Sequence, residues 1–182
     1  MTTTALALLN RPSLEAPPHR EGAEPFELVD PGAPHVRILD LGVTRGDGAF
    51  ETISIGNGRP QALRAHLVRF AKSAAALELP APDLDAWETA VRAAAVAIDP
   101  VPEAYVKTII TRGIEGDGRP TGWAYAAPAD DFTAARRDGI RVVLDSPFWK
   151  TSYGHALITA GQLRSRRTGS RCSARLGRAR PR

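Results

Sequence analysis

The sequence predicts an α+β domain, a mostly antiparallel sheet with two packed helices, from three observations. Residues 49–55 alternate their faces and run into Gly56-Asn57-Gly58, as a strand does on entering a hairpin. Leu63, Leu67, Phe70, Ala74 and Leu77 recur at spacings of three and four, which makes one apolar helix stripe. A second stripe, Leu84, Trp87, Val91 and Ala94 or Ala95, follows the capping residue Asp83, and strand-like runs return after it.

In chain order, Met1 to about Pro25 holds Pro12, Pro17, Pro18 and Pro25 without sustained periodicity, and reads as a flexible arm over residues 1–25. Phe26–Val29 and Val36–Leu41 are strand-like, separated by the turn formers of Asp30-Pro-Gly-Ala-Pro34. The strand Ala49–Ile55 pairs through its turn with Arg59–Leu63. The first helix ends at Pro80 and Pro82, and the second runs from Asp83 to about Ile98. Glu103–Thr111 is a strand, Arg112–Pro120 a Gly-rich loop, Gly122–Ala127 its returning partner and Ile140–Leu144 one more strand. The domain is therefore expected over residues 26–145. Residues 146–182 form a basic tail in which Gly161–Arg182 lacks any period or large apolar core, and disorder is expected there.

The 182 residues suffice for one domain or little more, and 43% apolar with 24% charged residues is ordinary globular usage. No apolar run is long enough to span a membrane, and Ala5–Leu9 lacks the basic flank of a secretory signal, so a cytoplasmic protein is expected. A single cysteine, Cys172, excludes an internal disulfide and a cysteine-based metal cluster. The net charge of +4 is an average of two unlike parts. All 20 acidic residues lie at or before Asp145 beside 15 Lys and Arg, a balance of −5, whereas Lys150 and eight arginines from Arg164 to Arg182 follow with no acid. Such a tail admits a non-catalytic module that binds nucleic acid or an acidic partner electrostatically, although it has no interleaved aromatics for base stacking.

Two groups of residues carry potential chemistry. Arg45-Gly-Asp-Gly48 is either a turn capping a strand or a place where small residues let a ligand approach the sheet rim. His66, Arg69 and Ser73, at i, i+3 and i+7, form a polar row beside the first helix stripe. There Arg69 is either a bidentate phosphate clamp or a solvated flank whose stem covers Phe70.

Taken in order, Arg45-Gly-Asp-Gly-Ala-Phe-Glu-Thr52, His66-Leu-Val-Arg69 with Ser73-Ala74, and Lys107-Thr-Ile-Ile-Thr-Arg-Gly113 resemble the N-terminal half of the class IV pyridoxal-phosphate enzymes. That group includes 4-amino-4-deoxychorismate lyase, branched-chain aminotransferase and D-amino-acid aminotransferase, and the first and third motifs resemble the lyase branch most. The resemblance covers about Phe26 to Leu144. It implies pyridoxal 5′-phosphate as cofactor, Arg69 as its phosphate ligand, Phe50 and Thr52 lining the substrate pocket, and Lys107 and Arg119 facing substrate carboxylates. Lys150, in Lys150-Thr-Ser-Tyr153, stands where the family has its Schiff-base lysine and is the last lysine of the chain, although the motif is one residue short. The alternative is a chance lysine in a disrupted segment.

Beyond Tyr153 nothing resembles the family's second domain. The Arg-, Ser- and Gly-rich composition matches an out-of-frame reading of a GC-rich gene, so a truncated, inactive enzyme with its second domain missing is expected. The function implied is conversion of 4-amino-4-deoxychorismate to 4-aminobenzoate and pyruvate, within folate biosynthesis. The alternative in the same family is transamination of branched-chain or D-amino acids. The intact family implies a homodimer acting on a small amino-acid-like substrate.

Overall fold

The computed structural model describes residues 3–131 and 133–139. In chain order they form β1 (Ala5–Leu9), β2 (Phe26–Val29), α1 (Leu41–Thr44), β3 (Gly48–Gly56), β4 (Arg59–Pro60), α2 (Leu63–Ala76), α3 (Leu84–Ala97), β5 (Glu103–Thr111), β6 (Thr121–Pro128) and α4 (Thr133–Asp138). The six strands make one sheet of order β2-β1-β6-β5-β3-β4, antiparallel at every pairing. The α+β expectation is met: α2 and α3 cover one face of an antiparallel sheet.

Both helix stripes are where the periodicity puts them. Leu63, Leu67, Phe70 and Ala74 of α2 are buried, as are Trp87, Val91, Ala94 and Ala95 of α3. The Asp83 side chain accepts the Ala86 N–H and caps α3. Phe70 and Trp87 meet edge to face, with ring centroids 4.9 Å apart, at the middle of the core. The indole N–H of Trp87 donates to the Pro12 carbonyl at 2.9 Å. Gly122 is required here, because a Cβ would lie 2.6 Å from Pro12 Cβ and 2.8 Å from the Trp87 ring. At the hairpin tip Asn57 and Gly58 have φ of 51° and 72°, the doubly left-handed turn that the right-handed twist of the two strands favours.

Two expectations need correction. Residues 1–25 are not an unstructured arm: β1 is an interior strand between β2 and β6, with Ala5, Ala7 and Leu9 in the core. Asn10 continues the tie, its side chain bonding the Arg20 carbonyl and its N–H the Pro25 carbonyl. An Ala/Leu run shows no apolar–polar alternation, and alanine has little intrinsic strand preference, so only the pairing with β6 makes it a strand. The compact unit accordingly spans Met1–Ile140. The second correction is Val36–Leu41, which forms no strand. Asp40 there accepts the Gly42 N–H and the Thr121 hydroxyl and starts α1, leaving Ile38 and Leu39 exposed. The expected strand Ile140–Leu144, Lys150 and the basic tail lie outside the described residues.

Candidate functional site

Side chains of β3 alternate between two faces, and that alternation divides the candidate residues. Ala49, Glu51, Ile53 and Ile55 turn toward the helices and are buried, whereas Phe50, Thr52 and Ser54 turn away and are exposed. Cross-strand register extends the open face into two rows. Thr52 stands beside Lys107, Tyr125 and Leu6, and Phe50 beside Ile109, Trp123 and Leu8. Lys107 and Thr52 thus lie side by side on the open face. They border a groove of about 480 Å³ that Tyr105, Ser54, Glu103 and Arg136 also line. Arg136 is paired with Glu103 at 2.7 Å, so Lys107 is the cation of that groove without a salt bridge among the described residues.

On the helix face a single acid interrupts an apolar row. Glu51, its side chain 9% exposed, meets Arg69 of α2 through two hydrogen bonds of 2.5 Å, from Nε to Oε2 and from Nη2 to Oε1. The Thr52 N–H donates to Oε1 at 3.0 Å, and His66 Nδ1 lies 3.2 Å from the same oxygen. Burial pushes the Glu51 carboxyl up, but hydrogen bonds from Arg69, its charge, and the bonds from Thr52 and His66 outweigh that and hold it below the ordinary carboxylate range. The same pairing raises Arg69. Arg69 remains 47% exposed on its side chain, and its Nη1 has no hydrogen-bond partner among the described residues. Sequence reasoning assigned Glu51 no role; its signal was an acid in the apolar phase of a period-two strand.

The division into two faces does not separate these groups completely, because β4 pairs only with Ile55 and Gly56. From Gly48 to Ser54 the outer side of β3 has no strand beside it among the described residues, and the outward Thr52 N–H is taken by Glu51 itself. A ligand lying across this rim has Arg69 on one side of the strand and Phe50 and Thr52 on the other. The residues therefore fit an anion-bearing ring cofactor: a guanidinium with free donors beside an uncovered rim, and an exposed aromatic next to it.

Arg119 is placed elsewhere. It is half-buried in the loop between β5 and β6, beyond the last pair Thr111–Thr121, four residues or about 13 Å along the strand from Lys107. The Arg45-Gly-Asp-Gly48 and Thr111-Arg-Gly113 motifs are joined to each other. Arg112 donates to Asp47 at 2.7 Å and 3.3 Å, and its Nη1 and Nη2 donate at 2.9 Å to the Glu78 and Leu77 carbonyls at the end of α2. Arg112 thus acts as a strut between the Asp47 turn and the end of the helix, the turn version of the two readings. Gly113 completes that loop at φ 79°, where a Cβ would collide with the Arg119 carbonyl.

The chain resembles several known proteins. The chain is 37% identical over 120 residues to the bifunctional aminodeoxychorismate lyase / D-amino acid transaminase of Mycobacterium tuberculosis (strain ATCC 25618 / H37Rv), covering 64% of this chain and 42% of that protein. Its fold matches a fold IV transaminase from Curtobacterium pusillum with a TM-score of 0.65 at 46% identity, over 73% of this chain and 45% of the other. It also matches a hypothetical aminotransferase from M. tuberculosis in its PLP-bound form, with a TM-score of 0.59 at 33% identity, over 74% and 44% of the two chains. The chain thus spans less than half the length of these relatives. Among the described residues no helix is long and apolar enough to cross a membrane. The sequence pattern described as amino-transferase class IV matches residues 48–157, from the start of β3 through both candidate faces, and the chain belongs to this family of pyridoxal-phosphate-dependent enzymes.

Proposed function

We propose that this chain supplies one wall of a pyridoxal-phosphate enzyme acting on an amino-acid-like substrate, with Arg69 as the ligand of the cofactor phosphate. The observation that carries this reading is the half-exposed Arg69 fork with free donors at the uncovered rim of β3. Bound there, pyridoxal phosphate would supply the electron-withdrawing ring for carbanion chemistry at the substrate Cα. Arg69 holds the phosphate through charge-assisted hydrogen bonds. Phe50 shields one side of the rim from water, and Thr52 with Lys107 meets the substrate, the Lys107 ammonium opposing a carboxylate. Arg119, at the other end of the strand, is proposed for a second carboxylate only. Lys150 is assigned the covalent bond to the cofactor and the movement of the proton at Cα.

The reaction proposed is cleavage of 4-amino-4-deoxychorismate to 4-aminobenzoate and pyruvate, supported by the name of the M. tuberculosis relative. A transamination of branched-chain or D-amino acids is the second reading, favoured by the 46% identity to the Curtobacterium transaminase. The cofactor assignment is tested by incubating the chain with millimolar pyridoxal phosphate, reducing with borohydride and locating the label by mass spectrometry. The chain has three lysines, Lys72, Lys107 and Lys150, so label confined to Lys150 supports the reading. Equal labelling of all three overturns it. Release of 4-aminobenzoate against release of a keto acid, measured in the same preparation, separates the two reactions.

A further inference from the structure

Glu51 is a costly residue in its position. It occupies the apolar phase of β3 between Ala49 and Ile53, where an apolar side chain would avoid all desolvation of charge. Nothing in the packing demands an acid there. Its partners do: one oxygen takes Arg69 Nε–H, the other takes Arg69 Nη2–H together with the Thr52 backbone N–H. The carboxylate is therefore tied to the strand, and the guanidinium is tied to the carboxylate along one edge of its plane. The opposite edge, Nη1, faces away from Glu51.

We propose that Glu51 is the positioning residue of the phosphate site, fixing the plane and direction of the Arg69 guanidinium so that its free donors face the rim of β3 before any anion arrives. The proposal rests on the reading of Arg69 as phosphate ligand. A long side chain on a helix flank otherwise surrenders its rotamer freedom when an anion binds, which weakens binding by a factor of about three to ten. Glu51 also carries a negative charge near the anion. At a half-exposed rim, water and salt screen that repulsion, so the gain in order prevails.

The test compares wild type, Glu51→Gln, Arg69→Lys and Arg69→Ala in the full chain, each titrated with pyridoxal phosphate and with pyridoxal, which lacks the phosphate. Nitrogen-15 NMR of the Arg69 Nε–H follows the anchoring directly. Glu51→Gln is expected to weaken pyridoxal phosphate about three- to tenfold, leave pyridoxal unchanged and let the Nε–H exchange faster with water. Arg69→Lys, which keeps the charge but loses the fork, is expected to show the same selective loss. If Arg69→Ala binds weakly while Glu51→Gln or Arg69→Lys binds pyridoxal phosphate as wild type does, charge alone suffices and the positioning role is wrong. Equal loss for both ligands in Glu51→Gln would mark general damage to the fold and also overturns it. A wild-type chain with no preference for the phosphorylated ligand, or Arg69→Ala binding as wild type does, removes the phosphate reading itself, and the role of Glu51 with it.

Discussion

Arg69 carries two consequences at once. It is the cation that neutralises a buried acid, and it offers its outer donors to solvent. Arg69→Ala should therefore lower stability to urea by about 1–3 kcal/mol, because Glu51 is left desolvated without its partner. In an enzyme that binds the cofactor, the same change should weaken cofactor affinity about ten- to a hundredfold. Arg64 on the same helix makes only exposed pairs with Asp85 and Glu88, at 3.5 Å and 3.6 Å, so Arg64→Ala should change stability by no more than about 0.5 kcal/mol and leave cofactor affinity alone. The pH dependence follows from Glu51, whose folded pKa is depressed below its ordinary value of about 4.5. Its stabilisation is fully present above that value and is lost as pH falls through the lower folded value. Urea midpoints of wild type and Glu51→Gln should accordingly differ most above pH 5 and converge toward acid.

At the level of elements, the Arg45-Gly-Asp-Gly48 turn and the Thr111-Arg-Gly113 loop prove to be joints. Arg112 ties Asp47, before β3, to the Leu77 and Glu78 carbonyls just past α2, and so sets where the helix ends relative to the strand that it covers. Arg112→Ala should cost about 2–3 kcal/mol in chemical denaturation, through one ion pair and two carbonyls left without donors. Glycines separate into two kinds. Gly58 sits at φ 72° with nothing within 4 Å of a Cβ, so Gly58→Ala should cost only about 1 kcal/mol of backbone strain. Gly122→Ala, which would drive a methyl into Pro12 and the Trp87 ring, should cost about 1–3 kcal/mol and shift the tryptophan emission. Gly58 was legible in the sequence because turn chemistry is local. Gly122 was not, since its close neighbours, Trp87 and Pro12, lie on α3 and in the segment after β1.

For the whole molecule the decisive element is β1. It links β2 to the rest of the sheet and lends Ala5, Ala7 and Leu9 to the core. A chain lacking residues 1–10 should lose its cooperative thermal transition, because removing an interior strand takes away more than the roughly 5–15 kcal/mol by which domains are stable. A true flexible arm would come off without effect, and circular dichroism melting distinguishes the two.

What the sequence determined by itself is what short-range periodicity and turn chemistry carry: two helix stripes, the alternation of β3, its hairpin, the cap at Asp83 and the order of the family motifs. The motifs singled out Thr52 and Lys107, but the pairing of their strands, β3 with β5, came only with the fold. Tertiary structure alone decided that an Ala/Leu run becomes an interior strand, that Val36–Leu41 yields to the Asp40 cap, and that Arg119 stands apart from Lys107. It also decided the partners of charge, Arg69 with Glu51 across 18 residues and Arg112 with Asp47 across 65. Local pattern shows which face a side chain turns to, whereas a buried charge is satisfied by whichever opposite charge the folded chain brings to it, and that depends on the packing of α2 against β3.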